Sequence, residues 1–268
     1  MKSPTQYVTS KDGTSIAYDM YGTGGKPVLI YVTGASCFRN FFPIKADAKA
    51  YAQEFTVYNY DRRGRGDSGD HSPWTVEREV EDIEALMDAA GGKVVLYGHS
   101  SGAVLALEAA LRLGDKVERV VVYDTPYVHD EEEKAQYGAM ADGVLALLKQ
   151  GKKAAAMKAF LRGIGMPKAF VFLLPLFPGW KGIKALANTL AYDIALTRDL
   201  PPVERFSQIT VPVKVMVGEK SPGRMQGVAQ QLAKAIPGAE MKVMKGQDHM
   251  IGAKVLLPEL AISENMGT

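Results

Sequence analysis

The sequence predicts an α/β fold: a mainly parallel sheet with helices on both faces, interrupted by one helical insertion. Three observations lead there. Short apolar runs alternate with helix-periodic segments from residue 28 to 123, and again from residue 212 to 260. The run Val28-Leu29-Ile30-Tyr31-Val32 is almost wholly apolar, as expected of a strand covered on both faces. Between Tyr127 and Phe206 strand-type runs cease, and helical segments broken by Gly and Pro replace them.

The elements follow in order. Gln6 to Thr9 and Ser15 to Tyr21 are β-type runs joined by Lys11-Asp12-Gly13, a turn sequence, and they predict an N-terminal hairpin. Val28 to Val32 is the next strand, broken by Thr33-Gly34-Ala35-Ser36, and a helical segment then leads to Gln53. Phe55 to Tyr60 is a strand ending in the turn Asp61-Arg62-Arg63-Gly64-Arg65-Gly66-Asp67-Ser68-Gly69. Val76, Val80, Ile83, Leu86 and Met87 recur at helical spacing, and Gly91-Gly92 ends that helix. Val94 to Tyr97, a helix through Leu113 and the strand Val117 to Tyr123 complete the first half.

After the insertion, Pro212 to Val217 is a strand, Met225 to Ile236 a helix, Met241 to Met244 a strand and Val255 to Leu260 a terminal helix. The expected division is a core of residues 1–126 and 207–268 with a helical cap over 127–206. Within the cap, Lys149, Lys152, Lys153 and Lys158 read as a solvated basic face.

Composition narrows the partners. At 268 residues the chain can bury a large core, and 32 Lys and Arg against 30 Asp and Glu leave a net charge of +2. No concentrated basic face calls for nucleic acid. The single Cys37 excludes an internal disulfide framework and a cysteine-based metal cluster. No apolar run follows the charge at the N-terminus, and Ala169 to Phe177 is too short to span a bilayer. The expectation is a soluble cytoplasmic protein, monomer or homodimer, acting on a small molecule without cofactor, nucleic acid or membrane partner.

Chemistry concentrates at Gly98-His99-Ser100-Ser101-Gly102, between a β-type run and an Ala/Leu-rich helix. Strand, sharp turn and helix with serine at the apex form a nucleophile elbow, and small flanking residues leave room where strand and helix nearly collide. Ser100 is the expected nucleophile. Of the four histidines, His249 follows the last strand and can reach across the strand ends to Ser100 as general base. His99 reads as packing, and His71 and His129 as surface residues. The oxyanion donors expected are the backbone N–H groups of Ser101 and of Ala35, after the Gly34 turn. With backbone groups as donors, the side chains of Ala35 and Ser101 should be replaceable at moderate cost.

These residues resemble the α/β-hydrolase superfamily, of the cap-bearing small esterase and lactonase type. The resemblance covers nearly the whole chain through the elbow, the Asp61 to Ser68 turn and Gly246-Gln247-Asp248-His249. It implies an eight-stranded sheet and a Ser-His-acid catalytic triad under the cap. Two positions depart from the pattern. The family's His-Gly after the third strand is Thr33-Gly34, which should keep the backbone donor but change the hydrogen bonding behind it. The family's usual acid, in G-x-x-D after the penultimate strand, is replaced in Gly218-Glu219-Lys220-Ser221 by a serine. Haloalkane dehalogenases and zearalenone-lactonase-like members carry the acid at the end of the strand after the elbow helix. Here that residue is Asp124, the expected acid, with Glu219 as the alternative and Asp248 ranked lower.

Two other motifs carry less. Gly64-x-Gly66-x-x-Gly69 matches a dinucleotide fingerprint, but His71-Ser72-Pro73 delays the helix that would receive a pyrophosphate. No two His or Cys fall at metal-ligand spacing, and Asp130-Glu131-Glu132-Glu133 reads as a solvated helix start.

The expected activity is hydrolysis of an ester or lactone of a small to medium apolar substrate through an acyl-enzyme. Gly34, Met166, Phe170, Phe172, Trp180 and Met250 are the expected pocket wall. The alternatives on the same residues are a C–C bond hydrolase, a lyase or a perhydrolase, and, outside enzymes, a ligand-binding homologue. A serine at the elbow argues against dehalogenase or epoxide hydrolase chemistry, which need a carboxylate nucleophile.

Overall fold

The computed structural model describes residues 3–127 and 131–260. His129 and Asp130 lie outside the described residues. The chain runs β1 (Gln6–Thr9), β2 (Ser15–Tyr21), β3 (Val28–Val32), α1 (Phe42–Tyr51), β4 (Thr56–Tyr60), α2 (Val76–Ala90), β5 (Val94–His99), α3 (Ser101–Leu113) and β6 (Val117–Tyr123). Helices α4 (Glu131–Lys149), α5 (Lys153–Gly163), α6 (Lys168–Leu173), α7 (Trp180–Ala185) and α8 (Leu190–Ile194) follow, with short helical turns between and after them. Then come β7 (Val213–Gly218), α9 (Gly223–Ala235), β8 (Glu240–Met244) and α10 (Ala253–Leu260).

The eight strands form one sheet in the order β1-β2-β4-β3-β5-β6-β7-β8. β1–β2 and β2–β4 pair antiparallel, and every other pair is parallel. Strand alternation explains the two-sided coverage. Ile30 and Val32 of β3 join the core beneath α2, α3 and α9, while Leu29 and Tyr31 join the core beneath α1 and α10. Parallel strands thus read as continuous apolar runs because both faces are buried.

Local signals set the boundaries. Thr75 caps α2, its hydroxyl accepting from the Arg78 N–H at 3.4 Å, and Gly91 at φ 74° closes it. The lysine-bearing run from Leu145 to Phe160 is not one helix. It breaks at Gly151, φ 70°, so that α4 and α5 pack on each other around Ala141, Val144, Met157 and Phe160. This small core, joined by Leu186, Leu190 and Ile194, makes the insertion a body of its own between β6 and β7. Its position there puts it over the carboxyl ends of the central strands, where open α/β sheets bind ligands.

Candidate active site

Ser100 follows β5 directly and Ser101 opens α3, so the elbow turns within one residue. Ser100 takes φ 56° and ψ −130°, a conformation that L-residues rarely adopt. Its N–H donates to the Tyr123 carbonyl at 3.0 Å, which ties the turn to β6. The close approach needs glycine at two neighbours. A Cβ at Gly34 would lie 2.9 Å from Ser100 Cβ, and one at Gly102 would overlap the Val32 carbonyl oxygen. Among the described residues three non-glycine residues have positive φ, namely Ser36, Ser100 and Asp124. Each directly follows, or lies in the loop after, the carboxyl end of a central strand, so strain is concentrated at one end of the sheet.

Asp124 ends β6, fully buried, with its N–H donating to the Met216 carbonyl at 3.0 Å. Its Oδ2 is 2.9 Å from His249 Nδ1 and accepts from Ser221 Oγ at 2.6 Å, and its Oδ1 accepts from the Gly218 N–H at 3.0 Å. Burial opposes ionisation, but these hydrogen bonds and the imidazole outweigh it and hold the carboxyl below its ordinary range. A carboxylate on Nδ1 fixes the tautomer with hydrogen on Nδ1 and the lone pair on Nε2. Glu219 is exposed, and its carboxylate accepts from the Gly246 N–H at 2.7 Å. The structure thus brings Asp124, not Glu219, to the histidine. Exposed Asp248 accepts from the Met250 N–H at 2.8 Å.

His99 does more than pack. Its Nε2 lies 2.8 Å from the His249 carbonyl, which can only accept, so Nε2 carries the hydrogen. The two imidazole rings are 4.8 Å apart. Burial, aided by the His249 ring, lowers the His99 pKa to about 4 and keeps it neutral. His71 is exposed, as expected.

Ser100, Ser101, Ala35, His249, Met250 and Met166 line one mostly apolar cavity of about 370 Å³ between sheet and insertion. Of the six expected wall residues, Gly34, Phe170, Phe172 and Trp180 are not among its lining residues. Gly34 lies against the nucleophile instead, where a side chain would meet Ser100 Cβ. Phe172 is 69% exposed, the Phe170 ring lies tilted at 37° against Phe177, and Trp180 packs against the insertion's own core. Tyr137, Phe160, Ile164 and Val228 stand in the wall instead.

Sequence reasoning also missed a buried charge cluster behind the elbow. Arg62 pairs in a fork with Glu79, both contacts 2.7 Å, and donates to Asp193 at 2.9 Å. Arg65 donates to both oxygens of Asp193 at 2.8 and 2.9 Å. All four charged side chains are buried. Behind the loop after β3, Arg62 donates to the Thr33 carbonyl at 3.3 Å and Arg65 to the Gly34 carbonyl at 2.6 Å. Ser101 Oγ is committed as well, donating to Asp193 at 2.7 Å, so its side chain is not freely replaceable. The only forewarning was three arginines in an otherwise tight turn, of which Arg62 and Arg65 join the cluster. Gly64 and Gly66 serve that turn at φ 73° and 52°, and α2 begins well after it, so the glycines meet no helix N-terminus.

The chain is similar to known proteins in sequence and fold. The model of the alpha/beta hydrolase family matches residues 22–253. A crystal structure of an alpha/beta hydrolase from Sphaerobacter thermophilus is 39% identical, with TM-score 0.82, covering 95% of this chain and 98% of that one. The enol-lactonase from Burkholderia xenovorans, 22% identical with TM-score 0.63 over 89% and 90% of the chains, shares the fold. Proline iminopeptidase PfmaB of Pestalotiopsis fici is 28% identical over 130 residues, and the chain spans less than half of that relative, 45% of its length and 46% of its own. The 2-(acetamidomethylene)succinate hydrolase of Mesorhizobium japonicum is 28% identical over 223 residues, 79% of this chain and 77% of that protein. The match across most of the chain, on an eight-stranded sheet with an elbow serine, shows that the protein belongs to the alpha/beta hydrolase family.

Proposed function

We propose that the protein is a serine hydrolase that cleaves an ester or lactone of a small to medium, largely apolar substrate through an acyl-enzyme. The observation that carries this reading is the contact of Asp124 with His249 at the wall of the cavity that Ser100 also lines. His249 Nε2 takes the Ser100 proton as Oγ attacks the substrate carbonyl carbon. The carbonyl π electrons move to oxygen, and the resulting oxyanion is held by the N–H groups of Ala35 and Ser101. Collapse expels the alkoxide, which takes the proton from His249. Water then attacks the acyl-enzyme by the same route, releasing the acid and restoring Ser100. Asp124 orients the imidazole and stabilises its charged form.

The wall supports the substrate class. Phe160, Ile164, Met166 and Val228 offer apolar surface, and about 370 Å³ suits a ligand of modest size. Lys220 and Arg224 add two cations to one side, so acyl groups bearing a carboxylate belong among the substrates to test.

The experiment is turnover of p-nitrophenyl esters of graded acyl length, with and without a terminal carboxylate, beside γ- and δ-lactones. The reading expects hydrolysis of short to medium members and none by Ser100→Ala. Absence of turnover across both classes, with Ser100 still open to acylating reagents, would favour C–C bond or other acyl chemistry instead.

A further inference from the structure

We propose that Asp193, carried by the cap on α8, is the positioning residue that sets both halves of the oxyanion site. The inference rests on the serine-hydrolase reading above. Asp193 is 1% exposed and its two carboxylate oxygens accept from Ser101 Oγ, Arg62 and both sides of the Arg65 contact. These are the groups that hold the two expected donors in place.

The first half is the Gly34–Ala35 peptide. Arg65 Nη1 donates to the Gly34 carbonyl at 2.6 Å and to the Cys37 carbonyl at 3.3 Å. Among the described residues the one cis peptide is Ser72–Pro73, so the Gly34–Ala35 bond is trans. In a trans peptide the C=O and N–H point to opposite edges. Holding the Gly34 oxygen against buried Arg65 therefore holds the Ala35 N–H on the other edge. Arg65 keeps that place through its Nη2, which donates to both oxygens of Asp193.

The second half is Ser101. Its N–H belongs to the first turn of α3, where N–H groups lack intrahelical partners and are free to meet an anion. Its hydroxyl is fixed on Asp193 at 2.7 Å, at the border of the same cavity, and that contact sets the residue's orientation.

Electrostatics makes the link tight. Arg62 and Arg65 face Glu79 and Asp193, so the buried group is neutral as a whole. Burial opposes the Asp193 charge, but Arg65 and Arg62 outweigh it and hold the carboxyl below its ordinary range. Without Asp193 one buried guanidinium would lack its partner, an arrangement that drives rearrangement. A cap that merely roofed the cavity could use an apolar contact here. Because the carboxylate comes from the insertion, the oxyanion site is complete only when α8 is seated on the core.

The test compares wild type with Asp193→Asn and Ser101→Ala, using the full chain. Asn keeps the shape but removes the charge. Ser101→Ala keeps all four charges and removes only the hydroxyl's contacts with Asp193 and Arg62, so it remains informative should Asp193→Asn fail to fold. Expected for Asp193→Asn is a fall in kcat of about 10²–10³-fold per titrated Ser100, on the scale of losing an oxyanion donor, with KM within about 3-fold. Affinity for an aliphatic trifluoromethyl ketone should fall in parallel with kcat/KM. Ser101→Ala should show the same pattern at about 10-fold. In Asp193→Asn the backbone amide signals of Ser101 and Ala35 should both shift. A lowered Tm with unchanged kcat and unchanged amide signals would overturn the proposal and leave a structural role. Wild type without esterase turnover would count against the hydrolase reading alone, since the amide shifts still report on the positioning.

Discussion

Ser221 Oγ donates to Asp124 Oδ2 across 2.6 Å, the same carboxylate oxygen that faces His249 Nδ1 at 2.9 Å. Residues 97 positions apart thus meet at one carboxylate oxygen beside the imidazole.

The first prediction follows from that contact. Asp124→Ser should lose about 10³-fold or more in kcat, because the imidazole loses both its orientation and its counter-charge. Adding Ser221→Asp to that variant should recover at least 10-fold, as the new carboxylate enters the vacated position with a serine again beside it. Ser221→Ala alone should cost only a few-fold. Steady-state kinetics on one ester checks all three, and a double variant no better than Asp124→Ser would show that position 221 cannot reach the histidine.

The second concerns pH and stability. His99 is held neutral with a pKa of about 4, below its ordinary 6.5. Between those values the unfolded chain binds a proton that the folded chain does not. Its contribution is therefore complete above pH 6.5 and is lost as pH falls toward 4, by up to roughly 3 kcal/mol. Asp124 and Asp193, whose pKa values are lowered, act in a more acid window, losing their contribution only below the ordinary carboxylate range. Denaturant unfolding at pH 7 and pH 4.5 should show a steeper loss for wild type than for His99→Gln. Equal slopes would assign the loss to other groups.

Third, Gly34→Ala should abolish activity to below about 1% while costing about 1–3 kcal/mol of stability. The new Cβ would stand 2.9 Å from Ser100 Cβ and 3.0 Å from the His99 carbonyl, and neither backbone-anchored group can give way freely. Assay and thermal melting together check this, and a fully active variant would mean that the elbow relaxes.

Fourth, Phe172→Ser should leave kcat/KM within about 2-fold, because the ring is exposed and away from the cavity. Met166→Ala, which removes a lining side chain, should change the preference among acyl lengths. A substrate panel run on both variants distinguishes them.

The parts legible in the sequence were those written in adjacent residues. The elbow showed itself because a strand pattern, Gly98-x-Ser100-x-Gly102 and a helix pattern lie end to end. Asp124 could be placed because it follows the strand after the elbow helix, where the resemblance puts the acid in some members of the superfamily. The cap obeys neither rule. Phe170, Phe172 and Trp180 read as a pocket wall by their chemistry alone, and where a short helix points depends on the packing of α5, α6 and α7. Asp193 was invisible for a different reason: a lone carboxylate in an apolar helical segment looks solvated until Arg62 and Arg65, some 130 residues earlier, are brought against it.

The most direct measurement is covalent labelling with a fluorophosphonate, followed by mass spectrometry of the intact chain and its peptides. The account predicts one adduct on Ser100, none on Ser100→Ala, a labelling rate at least 100-fold slower for Asp124→Asn, and a rate near wild type for Glu219→Gln. An unlabelled wild type, or a rate that depends on Glu219 and not on Asp124, would contradict it.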